Sequence, residues 1–131
     1  MKKNHNLIPF LFSLLILITK PALARDLMDA EKEEISKTVR RELIDPESAR
    51  FKWVPVSAVG AKVYCGLVNS KNRLGGYTGD APYAVFLVWI DGTIKLAAPL
   101  GIGSNDGESP ASIATRKTCD KEGYTKLFMA E

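Results

Sequence analysis

Histidine is almost absent from this chain, whose 131 residues include only His5. His5 lies in a segment that the sequence marks for removal. The remaining protein therefore cannot form Ser-His-Asp or Cys-His catalytic sites, and it lacks the commonest zinc ligand. The two cysteines, Cys65 and Cys119, do not form a C-x-x-C redox motif. We therefore expect no catalytic residue, no metal and no cofactor.

The first 24 residues are typical of a secretory signal peptide. Lys2 and Lys3 give a basic start, the apolar run over 7–18 has 12 residues, and Ala22-Leu23-Ala24 places small residues before the expected cut. Such a run is shorter than the roughly 20 residues of a membrane-spanning helix, although an uncleaved anchor is the alternative. The sequence predicts a signal peptide over 1–24, one domain over 25–131, and a periplasmic or secreted protein.

Removal of that segment changes the charge of the chain. Lys2, Lys3 and Lys20 belong to it, so 15 of the 18 basic residues remain against 15 acidic ones. The mature protein is formally neutral, which gives no support for nucleic acid as a partner. It contains no second hydrophobic stretch long enough to span a membrane, so we expect no transmembrane segment after cleavage.

The two cysteines predict a structural disulfide. An even number of cysteines in an exported chain favours pairing of Cys65 with Cys119. Closing a loop of this length would stabilise the fold by ~4 kcal/mol in the chain-entropy model.

Hydrophobic periodicity predicts an α+β fold: a small antiparallel sheet with an N-terminal and a C-terminal helix packed on it. Ser109 and Pro110 are typical of the start of the second helix and Gly123 of its end. The predicted elements are a helix over 25–44, a turn over 46–50, an extended segment over 51–54, strands over 56–59, 61–68, 84–90 and 93–97, a glycine-rich loop over 100–109 and a helix over 110–122.

Two of these elements carry sharper predictions. The first helix is expected to be capped by Asp26 or Asp29 and to turn its charged residues to solvent. The apolar run over 84–90 favours a central strand covered on both faces, and Asp91-Gly92 after it is a strong hairpin signal. The apolar face of the first helix is predicted from four residues: Met28, Ile35, Val39 and Leu43.

The segment over 69–83 is the best candidate for function, because it combines amides, cations, glycines and tyrosines after a strand. One interpretation is a structured hairpin connection in which asparagine side chains satisfy backbone groups. The other is a recognition surface, since loops on rigid strands often carry binding residues. The candidate binding residues are Asn69, Lys71, Asn72, Arg73, Tyr77 and Tyr83.

Two stretches of the chain together resemble a set of small exported bacterial proteins. The first reads DPESARF over 45–51, and the second reads CGLVNSKNRLGGYTGDAPY over 65–83. The resemblance covers about 44–83. It implies export and assigns no catalytic role to any residue.

The sequence thus favours a non-enzymatic envelope or secreted protein that binds an unknown protein or cell-envelope partner through Asn69–Tyr83. A small carboxylate-based hydrolase is one alternative, and it requires a deep pocket with acidic residues of raised pKa. A structural accessory of an envelope assembly, held through its first helix, is another.

Overall fold

A computed structural model describes residues 23–129, so nearly all of the predicted signal peptide lies outside the described residues. The described part is the predicted α+β domain, and the disulfide Cys65–Cys119 is present. Between residues 23 and 129, no helix has the length and apolar character needed to cross a membrane. The elements are α1 (Asp29–Arg40), β1 (Arg50–Lys52), β2 (Val63–Asn69), β3 (Ala81–Ile90), β4 (Thr93–Ile102) and α2 (Pro110–Lys121), with short 3₁₀ turns at Pro46–Ser48 and Thr125–Phe128.

The four strands form an antiparallel meander in the order β1-β2-β3-β4. Asp91 and Gly92 join β3 to β4 with φ values of 51° and 73°, which confirms the predicted hairpin turn. β4 is longer than predicted, because Gly101 and Ile102 still pair with β3. The predicted glycine-rich loop therefore begins only after Ile102.

Two buried tyrosines lie at the centre of the core. Tyr64 and Tyr83 are both 0% exposed, and their ring centroids are 6.2 Å apart. Tyr83 pairs across the strands with Gly66, and a Cβ at Gly66 would lie 2.5 Å from the Tyr83 hydroxyl oxygen. The ring can therefore occupy this position only because residue 66 has no side chain.

The C-terminal helix begins and ends as predicted. The Ser109 side chain accepts a hydrogen bond from the Ser112 backbone N–H at 3.1 Å, and Pro110 is the first helical residue. Gly123, with φ of 89°, follows the last turn. The disulfide then ties α2 to the face of β2 that carries Cys65, as expected for a helix packed on the sheet.

The first helix is shorter than predicted. It begins at Asp29 because Arg25 forms an antiparallel bridge with Val56, which keeps the preceding residues extended. It ends at Arg40, and turns carry the chain on to the 3₁₀ turn. Neither Asp26 nor Asp29 caps it; the N-cap residue is Met28, which is 47% exposed rather than in the core.

Two strand predictions are also wrong. The segment over 56–59 is not a strand, because only the bridge to Arg25 orders Val56 and bends follow it. The second half of β3 is covered on one face alone: Leu87 is buried, whereas Phe86 and Val88 are about 40% and 39% exposed. Neighbouring residues of a strand point to opposite faces, so the face that carries Phe86 and Val88 is partly open to solvent.

Candidate functional site

The loop between β2 and β3 closes on itself in a compact conformation. Lys71 and Tyr77 form an isolated antiparallel bridge. Inside it, the Asn72 N–H donates to the Gly76 carbonyl at 2.9 Å, and the Gly75 N–H donates back to the Asn72 carbonyl at 3.0 Å. Gly75 has φ of 81°, a left-handed conformation that favours glycine at this turn. We call residues 69–80 the β2–β3 loop.

The two asparagines of the loop are occupied by its backbone. The Asn72 side-chain oxygen accepts hydrogen bonds from the N–H groups of Leu74 at 2.9 Å and Gly76 at 3.2 Å. The Asn69 side-chain oxygen accepts one from the Gly79 N–H at 3.0 Å. These bonds satisfy backbone donors that have no strand partner, so both residues contribute to the shape of the loop.

Tyr77 fixes the loop to the turn before β1. Its hydroxyl donates to the Ser48 carbonyl oxygen at 3.1 Å, and the Ser48 hydroxyl accepts from the Lys71 N–H at 2.8 Å. The guanidinium carbon of Arg50 lies 4.0 Å from the centre of the Tyr77 ring, and the Lys71 ammonium lies 5.5 Å from it. Two cations therefore gather around one surface tyrosine, which is favourable for its electron-rich face.

The two stretches that carry the family resemblance meet at this contact. Ser48 and Arg50 belong to the first stretch, and Lys71 and Tyr77 to the second. They come together because β1 pairs with β2, with Arg50 opposite Asn69. Neither Ser48 nor Arg50 was named as a site residue from the sequence, and their place in the quoted pattern was the only signal for them.

The candidate residues divide into four groups. Asn69 and Asn72 support the backbone, and Tyr83 is buried in the core, away from any binding surface. Lys71 and Tyr77 lie at the edge of the contact with Ser48. Arg73 is exposed at the tip, beside Leu74, a residue that sequence reasoning missed and that is 94% exposed. The surface available to a partner consists of Arg50, Lys71, Arg73, Leu74 and part of Tyr77.

The carboxyl groups with shifted pKa values do not resemble general acids. The Arg25 side chain holds the pKa of Glu31 at about 2, and backbone N–H groups act in the same direction, while burial opposes them. The Ser104 hydroxyl lowers the pKa of Asp106, with the Glu108 N–H also contributing. A carboxyl group that donates a proton at neutral pH needs a raised pKa, so neither residue fits the hydrolase hypothesis.

The other alternative loses its proposed contact surface. Ile35 and Val39 of α1 are 0% and 1% exposed inside the chain, so they are not free to join one chain to another. Residues 23–129 also contain no group of three or more histidine, cysteine, aspartate or glutamate side chains arranged to hold a metal ion.

The β2–β3 loop offers an ordered surface with the apolar Leu74 at its tip and two cations, Lys71 and Arg73, and Arg50 of β1 adds a third cation beside it. Such a surface can bind by hydrophobic contact and charge. No protein-family model, no curated protein and no solved structure matches this chain.

Proposed function

We propose that this protein is an exported, non-enzymatic binding module that holds another macromolecule through its β2–β3 loop. One observation carries the proposal. The loop uses its own amide side chains and the Tyr77 hydroxyl to hold its backbone, while Leu74 and Arg73 are left in solvent at the tip. The side chains at the tip, Arg73 and Leu74, take part in none of these hydrogen bonds, so a partner can contact them without disturbing the fold.

The fixed conformation of the loop favours binding. A loop that must become ordered on binding loses conformational entropy, at a cost of about 0.5–1.5 kcal/mol for each immobilised long side chain in addition to the backbone. Here the Lys71–Tyr77 bridge and the two Asn72 bonds have already ordered the backbone. Binding residues are often found on loops held by a rigid scaffold, and this loop joins the two central strands of the sheet.

The side chains on the loop indicate the chemistry of the partner. Arg73 lies next to Leu74 at the tip, and Lys71 and the neighbouring Arg50 of β1 place further positive charge around the Tyr77 ring. Complementary charge speeds association and selects partners, so we expect negatively charged groups on the partner around an apolar contact. Arg50 already covers one face of the Tyr77 ring at 4.0 Å, which makes the ring a poor open platform for stacking a sugar.

Export is part of the proposal and rests on two supports. The first is the signal-peptide pattern over 1–24. The second is the buried disulfide Cys65–Cys119, since such bonds persist mainly in oxidising compartments. The partner is then a component of the periplasm, the cell envelope or the surroundings of the cell.

The test is affinity capture from envelope extract, with the mature protein as bait. It compares two double variants, each of which reverses one positive charge and replaces one exposed apolar residue by aspartate. The loop variant carries Arg73→Glu and Leu74→Asp. The control carries Ile113→Asp and Lys117→Glu, which alter an exposed apolar residue and an exposed cation on α2 in the same way.

We expect a partner that wild type and the α2 variant retain and that the loop variant loses by at least tenfold in affinity. Equal retention by all three proteins would show that the loop is not the binding site. Loss with the α2 variant alone would place the site on that helix, and no retained partner at all would contradict the binding function.

A further inference from the structure

A small polar cavity lies at the base of the β2–β3 loop, away from its tip. Its volume is about 250 Å³, and four separate parts of the chain supply its polar groups, one of them the amide of Asn105 between β4 and α2. Lys52 comes from β1, Asp80 from the end of the loop, and Arg116 from α2. Part of its wall is apolar and includes Leu67 and Phe128.

Arg116 lines this cavity, and one donor of its guanidinium group is unpaired. Its Nε atom is buried and finds no hydrogen-bond partner among residues 23–129. The guanidinium carbon lies 5.4 Å from the centre of the Phe128 ring, a contact that fixes the group without satisfying its N–H donors. Because Nε is closed to solvent, an anion in the cavity would contact the terminal N–H groups of the guanidinium, where it would compensate the charge of Arg116.

The other charges of the cavity leave it positive. Lys52 forms an ion pair with Asp80, so this carboxylate is already matched by one cation. Arg116 is the second cation, and it forms no ion pair with any residue of the described chain. A site with two cations and one carboxylate attracts a negative ligand, and the attraction is stronger where water is partly excluded.

We propose that this cavity binds an oxyanion, a carboxylate or phosphate group, with Arg116 as its principal contact and Lys52 as the second. The planar guanidinium suits both groups, because its N–H donors match the spacing of two oxygens. The apolar wall would contact the carbon skeleton that carries the anion. The volume limits the occupant to a small molecule or to one terminal group of a larger one.

This site is independent of the binding surface proposed above. None of Lys52, Asp80 and Arg116 belongs to the exposed tip of the loop, and the ligand is defined by its charged group alone. It can therefore be tested with simple anions before any macromolecular partner is known.

The experiment is a titration of the mature protein, at constant ionic strength, with sodium phosphate and separately with sodium acetate. The Nε–H signal of Arg116 in a ¹H–¹⁵N NMR spectrum reports on the guanidinium group that makes the proposed contact. Sodium chloride serves as the non-specific anion. Arg116→Gln and Lys52→Gln are the site variants, and Lys117→Gln is the control because it removes an exposed cation next to Arg116.

We expect a saturable shift of the Arg116 signal with phosphate, acetate or both. The preferred anion identifies the source as a phosphoryl or a carboxylate ligand. Binding read from backbone signals should weaken at least tenfold in Arg116→Gln and several-fold in Lys52→Gln, and be unchanged in Lys117→Gln.

Three results would overturn the proposal: a shift that does not saturate, an equal shift with chloride, or unchanged binding in a folded Lys52→Gln protein. The last is informative because the Lys52 side chain is 66% exposed, so its replacement is compatible with folding.

Discussion

Arg25 and Arg50 both lie against aromatic rings, but they have different roles in the molecule. Arg25 lies 5.4 Å from the centre of the Trp89 ring, and Arg50 lies 4.0 Å from that of Tyr77. Arg25 is neutralised by the buried carboxylate of Glu31 at 2.7 Å, whereas Arg50 forms no ion pair within residues 23–129. The first arginine completes the fold, and the second leaves its charge at the surface.

The environment of Glu31 explains this difference. Its Oε1 atom accepts from the Arg25 side chain and from the Ile94 N–H at 2.9 Å. Its Oε2 atom accepts from the other nitrogen of that guanidinium and from the Met28 N–H at 3.0 Å. A buried carboxylate with four donors is fully satisfied, so burial does not require it to be neutral.

Glu31 also helps α1 to cover the edge of the sheet. β4 is an edge strand, and two of its backbone groups form hydrogen bonds with α1. The Ile94 N–H donates to the Glu31 carboxylate, and the Ala97 carbonyl accepts from the Thr38 hydroxyl at 3.0 Å. A covered edge cannot pair with another chain. Polar groups under α1 therefore protect the fold, while those on the β2–β3 loop tip remain available for contact.

Replacement of Glu31 by glutamine should have the largest effect on stability. The change leaves Arg25 without its counter-charge and replaces the acceptor of one of the two backbone N–H groups by an NH₂ donor, and breaking a buried pair costs about 3–5 kcal/mol. We expect about 3 kcal/mol, because the Arg25 side chain is 27% exposed and can be partly rehydrated. Urea unfolding measures the loss. Glu33→Gln, at an exposed position of the same helix, should change stability by less than about 0.5 kcal/mol; an equal loss in both variants would contradict the role of Glu31.

Acid should weaken the same region. The folded pKa of Glu31 is about 2, below its usual value near 4.5, so the unfolded chain takes up a proton first as the pH falls. The stability from this pair is present above about pH 4.5 and is lost as the pH falls towards 2. Unfolding measured at several pH values should show wild type and Glu31→Gln converging in acid. A constant difference between them across that range would show that the carboxylate charge is not responsible.

The elements whose ends depend on short-range interactions were predicted correctly from the sequence. Ser109, Pro110 and Gly123 act within one helix, and Asp91-Gly92 acts within one turn, so these elements are where the sequence placed them. The buried role of Glu31 was missed because it depends on Ile94, 63 residues away. From the sequence, this glutamate is one of several acidic residues near the start of a helix.

The candidate site was predicted in part, for a similar reason. Glycine and asparagine indicated a structured connection, and their hydrogen bonds within the loop are local. The contact of Tyr77 with Ser48 and Arg50 depends on the pairing of β1 with β2, which no residue in the loop encodes. The sequence predicts Tyr83 as a binding residue because it follows the loop closely. In the structure Tyr83 is buried in β3, opposite Gly66.

Replacement of Thr38 by valine tests the covered edge with a smaller change. Valine keeps the shape of threonine but leaves the partly buried Ala97 carbonyl without its donor, which should cost about 1–2 kcal/mol. The control is Thr118→Val, because the Thr118 hydroxyl bonds to the Ala114 carbonyl within its own exposed helix surface. Chemical denaturation should show a clear loss in the first variant and little in the second. If Thr38→Val is as stable as wild type, the contact to Ala97 does not protect the edge.

Replacement of Asn72 by alanine should give the smallest change in global stability and the clearest local one. It removes the acceptor for the Leu74 and Gly76 N–H groups, which lie at the surface and can turn to water. We therefore expect at most about 1 kcal/mol in urea unfolding. Hydrogen exchange at Gly76 should accelerate strongly, while exchange in β3 stays as in wild type. Arg73→Ala, in the same loop, removes a side chain without altering those bonds and should leave exchange at Gly76 unchanged. A global loss in Asn72→Ala comparable with that of Glu31→Gln would mean that the loop supports the fold as α1 does, and the contrast between the two regions would fail.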